Sequence, residues 1–300
     1  MSTVRTGTPA AGALLCLVSA AGFGAMAIFG KLAYDAGVST LTLLLVRFTA
    51  ATLLFGVALG VRPRGRVAGR AIAVGLALGA VGYSLQAGLF FGALQRLDAS
   101  LLALLLYTYP AWVTIAAFAL GRERPTRRRL VALGLSSAGL VVVLAGAAHG
   151  GFDGLGAAMG IGAALAYTAY ILVADAAPVP SPILLSTLVC AGATFTFTLV
   201  GVASGELDFG FETEGWLWLG LIAVVSTALP IATFFAGLAR VGPTTASILS
   251  TFEPVVTVTL AYLAFSEHLT VAQLGGAALV LAAAAMLAAP SRTPRTAPPT

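Results

Sequence analysis

Ten apolar runs, each long enough to cross a bilayer as a helix, leave this chain almost no way to fold in water. They occupy 10–30, 40–60, 71–93, 98–120, 129–147, 155–175, 181–203, 216–239, 244–265 and 270–289. A transmembrane helix needs about 20 such residues. Of the 300 residues 59% are hydrophobic and only 9% charged, against about 25% charged in soluble domains, so lipid must solvate most of the surface. The runs are rich in Ala, Leu, Val and Gly and lack the roughly ten-residue alternation of a barrel. The expected fold is an all-α integral membrane protein of ten transmembrane helices. The first run follows Arg5 but is too long for a signal core, and it is read as retained.

The net charge of +5 does not point to nucleic acid, because the arginines sit in short loops between runs. With ten spans, the two termini and the loops after even-numbered runs share one face. That face holds Arg5, Arg62, Arg64, Arg66, Arg70, Arg122, Arg124, Arg127, Arg128, Arg129, Arg240, Arg292 and Arg295, while the other loops hold Lys31 and Arg96. By the positive-inside rule the arginine-rich face is cytoplasmic. The expected location is a bacterial cytoplasmic (inner) membrane, multi-pass, with both termini inside and the acidic loop 205–215 outside.

A shift of 144 residues superposes two stretches without a gap. FFGALQRLDAS…YTYPAWVTIAAFALGRERPT begins at Phe90 and FFAGLARVGPT…TFEPVVTVTLAYLAFSEHLT at Phe234. The matches include Phe90/Phe234, Phe91/Phe235, Arg96/Arg240, Pro110/Pro254, Glu123/Glu267 and Thr126/Thr270. These are rarer residue types, which chance does not align easily in so apolar a chain. Five spans per half is an odd number, so the second half enters from the opposite face, giving two inverted-topology repeats at 10–147 and 153–289. Secondary transporters commonly use this architecture to open a central site to each side in turn. Segments 1–9 and 290–300 are expected to be disordered.

These residues resemble the drug/metabolite transporter superfamily, specifically its EamA-like members. The resemblance is carried by SAAGFGAMAIFGKLAYDAG, TLLLVRF with Arg47, Gly82-Tyr83…FFGAL, and signatures ending GRERPT and SEHLT after Pro110 and Glu253-Pro254. It departs at Phe23, where many members carry Trp, and at Arg124-Pro125. The resemblance implies efflux or exchange of amino acids or related metabolites and drugs. It also implies a central cavity lined by runs 1, 3, 4, 6, 8 and 9, which leaves run 2 at the periphery.

Two charged residues lie deep in the runs, Arg47 and Glu253, and intramembrane charge marks a functional site. By helical rise the two stand at similar depth, so a direct or water-bridged pair is available if their helices face one another. The bland alternatives are snorkelling of Arg47 to the outer interface and a neutral, hydrogen-bonded Glu253. Glu253 is the candidate to bind a proton or a cationic substrate group. Tyr83, Gln86, Tyr107 and Tyr109 lie too deep for interface anchors, and with Tyr167 and Thr227 they complete the expected pathway. Pro110 and Pro254 are read as mid-helix residues that kink their spans beside it. Glu123 and Glu267 are read as structural, pairing with loop charges, and Thr126 as a helix cap.

No cofactor is expected and no enzyme activity. Cys16 and Cys190 lie in apolar runs, His149 and His268 in loops, and no metal-ligand spacing, phosphate-binding loop or nucleophile motif is present. The expected partners are the lipid bilayer, a small-molecule substrate and protons. Gly-x-x-x-Gly pairs at Gly56/Gly60, Gly75/Gly79, Gly88/Gly92 and Gly156/Gly160 imply tight helix packing and leave monomer and homodimer both open. The rival function is a non-transporting membrane scaffold or sensor, which would require neither deep polar residues nor an inverted repeat.

Overall fold

The computed structural model describes residues 8–60, 67–94, 96, 102, 105–124, 126–145, 153–265 and 270–288, and every element among them is helical. Without water, each backbone N–H and C=O must be satisfied within the segment, which leaves the helix as the solution for these runs. Glu267, His149, His268, Pro125, Arg62, Arg64, Arg66 and the terminal segments fall outside the described residues, except that Thr8 and Pro9 already open the first helix.

The elements are α1 (Pro9–Asp35), α2 (Thr40–Gly60), α3 (Gly69–Ala77), α4 (Ser84–Leu94), α5 (Tyr109–Ala119), α6 (Arg127–Ala145), α7 (Gly154–Ala176), α8 (Pro182–Ser204), α9 (Thr213–Ala223), α10 (Leu229–Val241), α11 (Pro243–Ser250), α12 (Glu253–Phe265) and α13 (Val271–Ala288). Two π-helical turns, Leu78–Tyr83 and Val224–Ala228, join α3 to α4 and α9 to α10. Starts are set by capping side chains. Thr8 caps α1, Thr126 caps α6, Asp153 caps α7 and Ser181 caps α8, each accepting from an otherwise orphaned N–H.

Among the described residues six helices are long and apolar enough to cross a membrane: Pro9–Asp35, Thr40–Gly60, Gly69–Phe90, Gly154–Ala176, Pro182–Ser204 and Thr213–Val241. Shorter apolar helices cover Tyr109–Ala119 and Leu274–Leu287. The outward faces are apolar: Leu53, Val57, Phe195, Leu199 and Val202 are all more than half exposed.

Three expectations need correction. The first run does not end at residue 30, because α1 continues to Asp35 and takes Lys31 into the helix. The ninth run is not one helix, since a turn at Thr251–Phe252 separates α11 from α12. The fourth run breaks at the equivalent place, Tyr107–Thr108, just before α5. Pro110 and Pro254 therefore stand in the first turn of a helix, not mid-helix. There the missing donor costs nothing and the fixed φ suits the helix start.

The register of 144 recurs in the helix starts. Gly69 and Thr213 open α3 and α9, Tyr109 and Glu253 open α5 and α12, and Arg127 and Val271 open α6 and α13. The halves interlock. α2 packs on its mate α8 and α6 on its mate α13, while α1 packs on α9, α10 and α12 of the other repeat and α7 on α4 and α5. Two glycines set the closest crossing: a Cβ on Gly79 would collide with the Val189 carbonyl, and one on Gly192 with the Leu76 carbonyl. There α8 meets the first π turn backbone to backbone. Thr196 Oγ1 donates to the Ala80 carbonyl at 2.9 Å across that contact.

Candidate functional site

The break before α5, the π turn before α4 and the start of α12 all face one space. It is a cavity of about 120 Å³ lined by Phe23, Met26, Leu44, Arg47, Tyr83, Gln86, Ala87, Phe90, Leu106, Tyr107, Tyr109, Tyr167 and Glu253. The local sequence explains how the side chains converge. Tyr83, Gln86, Ala87 and Phe90 stand at i, i+3, i+4 and i+7, the spacing that stacks residues on one helix face, and Tyr83 ends the π turn that re-phases this face. Breaks at Tyr107–Thr108 and Thr251–Phe252 bring Tyr107, Tyr109 and Glu253 to the same depth of the fold.

Arg47 is 3% exposed, which removes the reading of an outer-interface anchor. Its Nη1 lies 2.8 Å from Met26 Sδ, its Nη2 donates to the Tyr83 hydroxyl at 3.4 Å, and its Cζ lies 4.7 Å from the Phe48 ring centroid. A guanidinium over an aromatic face gains from the ring quadrupole. Nε has no hydrogen-bond partner among the described residues. All three of these neighbours are uncharged, so the formal charge of Arg47 faces the cavity without a bonded counter-ion.

Glu253 opens α12, where the helix dipole favours a negative group. Gly24 of α1 allows its close seating, because a Cβ there would stand 2.8 Å from the Glu253 carbonyl. Thr257 Oγ1 donates to the Gly24 carbonyl at 3.0 Å and fixes the same crossing. No ion pair joins Arg47 to Glu253 among the described residues. Among the described residues α2 and α12 share no extended packing, and the two charges share the cavity instead. Tyrosines fill the space around them. The Tyr109 and Tyr167 rings meet edge-on at 4.7 Å, as do Tyr83 and Tyr170 at 5.7 Å, while Tyr107 and Tyr109 lie tilted at 6.0 Å.

The structure thus brings together Arg47, Glu253, Tyr83, Gln86, Tyr107, Tyr109 and Tyr167 of the expected pathway. It leaves three out. Thr227 is fully buried in the second π turn, where its hydroxyl donates to the Ile222 carbonyl at 2.8 Å. Pro110 and Pro254 shape the helix starts without lining the cavity. Run 2, assigned to the periphery by resemblance, contributes Leu44 and Arg47, whereas run 8 contributes nothing to the lining. The sequence reading missed Met26, Leu44, Ala87 and Leu106, which carry no polar signal. Phe23 and Phe90 were marked only as a family departure and a repeat match. Glu123 does pair with a nearby charge, its carboxylate lying 3.3 Å from Arg129, which stands in the first turn of α6 and not in a loop.

Comparison with known proteins agrees with the repeat. The profile of the EamA-like transporter family matches residues 10–145 and again 154–289. A protein of Archaeoglobus fulgidus named "Uncharacterized transporter" is 32% identical over 198 residues, which is 64% of this chain and 68% of the relative. A solved structure described as "Crystal structure of protein" superposes with a TM-score of 0.78, covering 92% of this chain and 97% of that one, at 19% identity. That last likeness concerns the fold alone.

Proposed function

The chain belongs to the EamA-like transporter family, and from that premise we propose that it is a ten-span, inverted-repeat secondary transporter that moves small metabolites by alternating access. The substrate class is amino acids and related zwitterions, in efflux or exchange. The observation that carries this reading is the joint lining of one cavity by Arg47 and Glu253 without an ion pair between them. A molecule bearing both an anionic and a cationic group satisfies each. The Arg47 guanidinium offers a charged donor to a carboxylate, and Glu253 accepts from an ammonium. The tyrosine shell supplies hydroxyl donors and apolar faces. At about 120 Å³ the cavity is of the same order as an apolar cavity of about 150 Å³ that binds benzene.

The sidedness of the contacts supports ten spans. Arg96 and Asp153, both assigned to the outer face, lie 3.8 Å apart. The loop after α8 folds onto the start of α2, Thr42 Oγ1 donating to the Asp208 carbonyl at 2.8 Å. On the face assigned to the cytoplasm, Arg122 donates to the Leu172 carbonyl at 2.6 Å and Arg128 to that of Met286. No residue of one assigned face is drawn to the other in these contacts. The proposed setting is a bacterial cytoplasmic membrane with both termini inside.

The test is uptake or release of a panel of amino acids and related metabolites by the purified protein in liposomes. Flux of a panel compound that Arg47→Leu and Glu253→Leu abolish, with both variants still folded, is the expected result. A folded protein that moves no panel compound would leave the scaffold or sensor reading standing.

A further inference from the structure

Five of the chain's arginines crowd into residues 122–129, between the end of α5 and the first turn of α6, with Glu123 as their one carboxylate. Three of them, Arg127, Arg128 and Arg129, stand in that first turn, where the helix dipole favours anions. Bonds within the protein answer part of this charge. Arg129 pairs with Glu123 at 3.3 Å, Arg122 donates to the Leu172 carbonyl and Arg128 to that of Met286. Arg124 and Arg127 are exposed, and among the described residues neither guanidinium has a hydrogen-bond or ion-pair partner.

Arg127 heads a face of α6 that stays exposed along its length. Leu130, Val131, Gly134, Ala138 and Val141 follow it at the spacing of one helix stripe, and all five are exposed. A Cβ on Gly134 would meet nothing within 4 Å, so the stripe has an open notch near its middle. From Leu130 to Val141 the helix rises about 17 Å, close to the hydrocarbon depth of one leaflet, half of about 30 Å. Unpaired cation and apolar stripe therefore lie end to end, in the order of a headgroup and its chains.

A soluble anion would use the guanidinium groups and leave the stripe bare. A zwitterionic phospholipid would cover the stripe, but its own cation is repelled by the arginines that crowd the site. A phospholipid of net negative charge satisfies both, since guanidinium binds phosphate through charge-assisted, often paired hydrogen bonds and basic clusters at a membrane surface attract anionic lipid. We propose that the head of α6 is a binding site for one anionic phospholipid, its phosphate held by Arg124 and Arg127 and an acyl chain seated along Leu130, Gly134 and Val141. The bound lipid offsets the positive charge gathered at the first turn of α6 and secures the end of the helix that Arg128 ties to α13. This rests on the membrane-spanning arrangement above and is independent of what the cavity carries.

The experiment is native mass spectrometry of the purified full-length protein after incubation with equal concentrations of dioleoyl phosphatidylglycerol and dioleoyl phosphatidylcholine. One phosphatidylglycerol should be retained in preference to phosphatidylcholine by about tenfold or more, each arginine beside anionic lipid contributing about fivefold. Arg124→Gln/Arg127→Gln should lose that preference. Arg62→Gln/Arg70→Gln, the same charge removed from another stretch of the arginine-rich face, should keep it. Helical circular dichroism checks that each variant is folded. Equal retention of the two lipids by the native protein, or a preference that survives Arg124→Gln/Arg127→Gln, overturns the site. A preference that falls equally in both arginine pairs also overturns it, in favour of diffuse attraction to the whole face. Displacement of the lipid by inorganic phosphate at a similar concentration overturns it in favour of a soluble-anion site. Flux in liposomes tests the transport reading separately, and its failure would leave the lipid site standing.

Discussion

Arg47 and Tyr83 are joined across 36 residues of sequence by one long hydrogen bond, guanidinium Nη2 to phenol oxygen at 3.4 Å. The contact ties α2 to the end of the first π turn and aims both side chains into the cavity.

Removing the two ends of that bond should have unequal effects. Tyr83→Phe loses one long contact, about 1 kcal/mol, and should weaken substrate affinity modestly, by about tenfold or less. Arg47→Leu removes the proposed anion-binding group and should lower flux by about 100-fold or more, the scale of a lost charged contact. Arg47→Lys should not restore it, because an ammonium cannot reproduce the planar fork. Concentration-dependent flux in liposomes, normalised to folded protein, measures all three; equal losses in Tyr83→Phe and Arg47→Leu would contradict this ranking.

The crossing of α8 over the first π turn should be intolerant of any side chain. Gly192→Ala and Gly79→Ala each force a methyl group into a carbonyl, and overpacking of this kind typically costs about 1–3 kcal/mol. Gly88→Ala meets nothing within 4 Å and should match or slightly exceed the parent, as alanine favours helix. Thermal unfolding in detergent, followed by helical circular dichroism, should separate the two classes. A Gly192→Ala protein as stable as Gly88→Ala would mean that the backbones do not touch.

Thr227 should behave as a stability residue with no part in recognition. Its hydroxyl serves the Ile222 carbonyl inside the second π turn, and leaving a buried acceptor unserved costs about 1–3 kcal/mol. Thr227→Val should therefore lower the unfolding temperature while leaving the KM of the folded fraction unchanged. A shifted KM with unchanged stability would return Thr227 to the pathway.

Asp208 and Arg128 should label from opposite sides of the membrane. The first lies in the loop folded on α2, and the second donates to the end of α13. Single cysteines at the two positions, probed with impermeant reagents in intact cells and in inverted vesicles, should react on opposite faces, Asp208→Cys from outside. Labelling of both from one side would refute the ten-span arrangement.

Much of this architecture was legible because a few residues are rare in an apolar chain. Pro110/Pro254 and Phe90/Phe234 fix the register, and helix starts at Tyr109 and Glu253 keep it. The breaks themselves were not legible. Tyr107–Thr108 and Thr251–Phe252 contain no glycine or asparagine, and proline inside a long apolar run reads as a kink in one helix. The π turns were equally silent, since a change of hydrogen-bond register has no composition of its own. Arg47 was visible through its charge, but its company was not. Met26 and Phe48 hold it by polarizability and a ring face, and such residues look like any other lipid-phase filler.

The interlocking of the halves bears on how the chain is made. α2 finds its main packing partner in α8, and α6 finds its own in α13. A ribosome delivers the first half to the membrane well before the second exists. During that interval the face of α2 that α8 covers is open, and Gly79 has no α8 backbone to meet. The first half thus waits with one side of α2 and one side of α6 uncovered until α8 and α13 have been made.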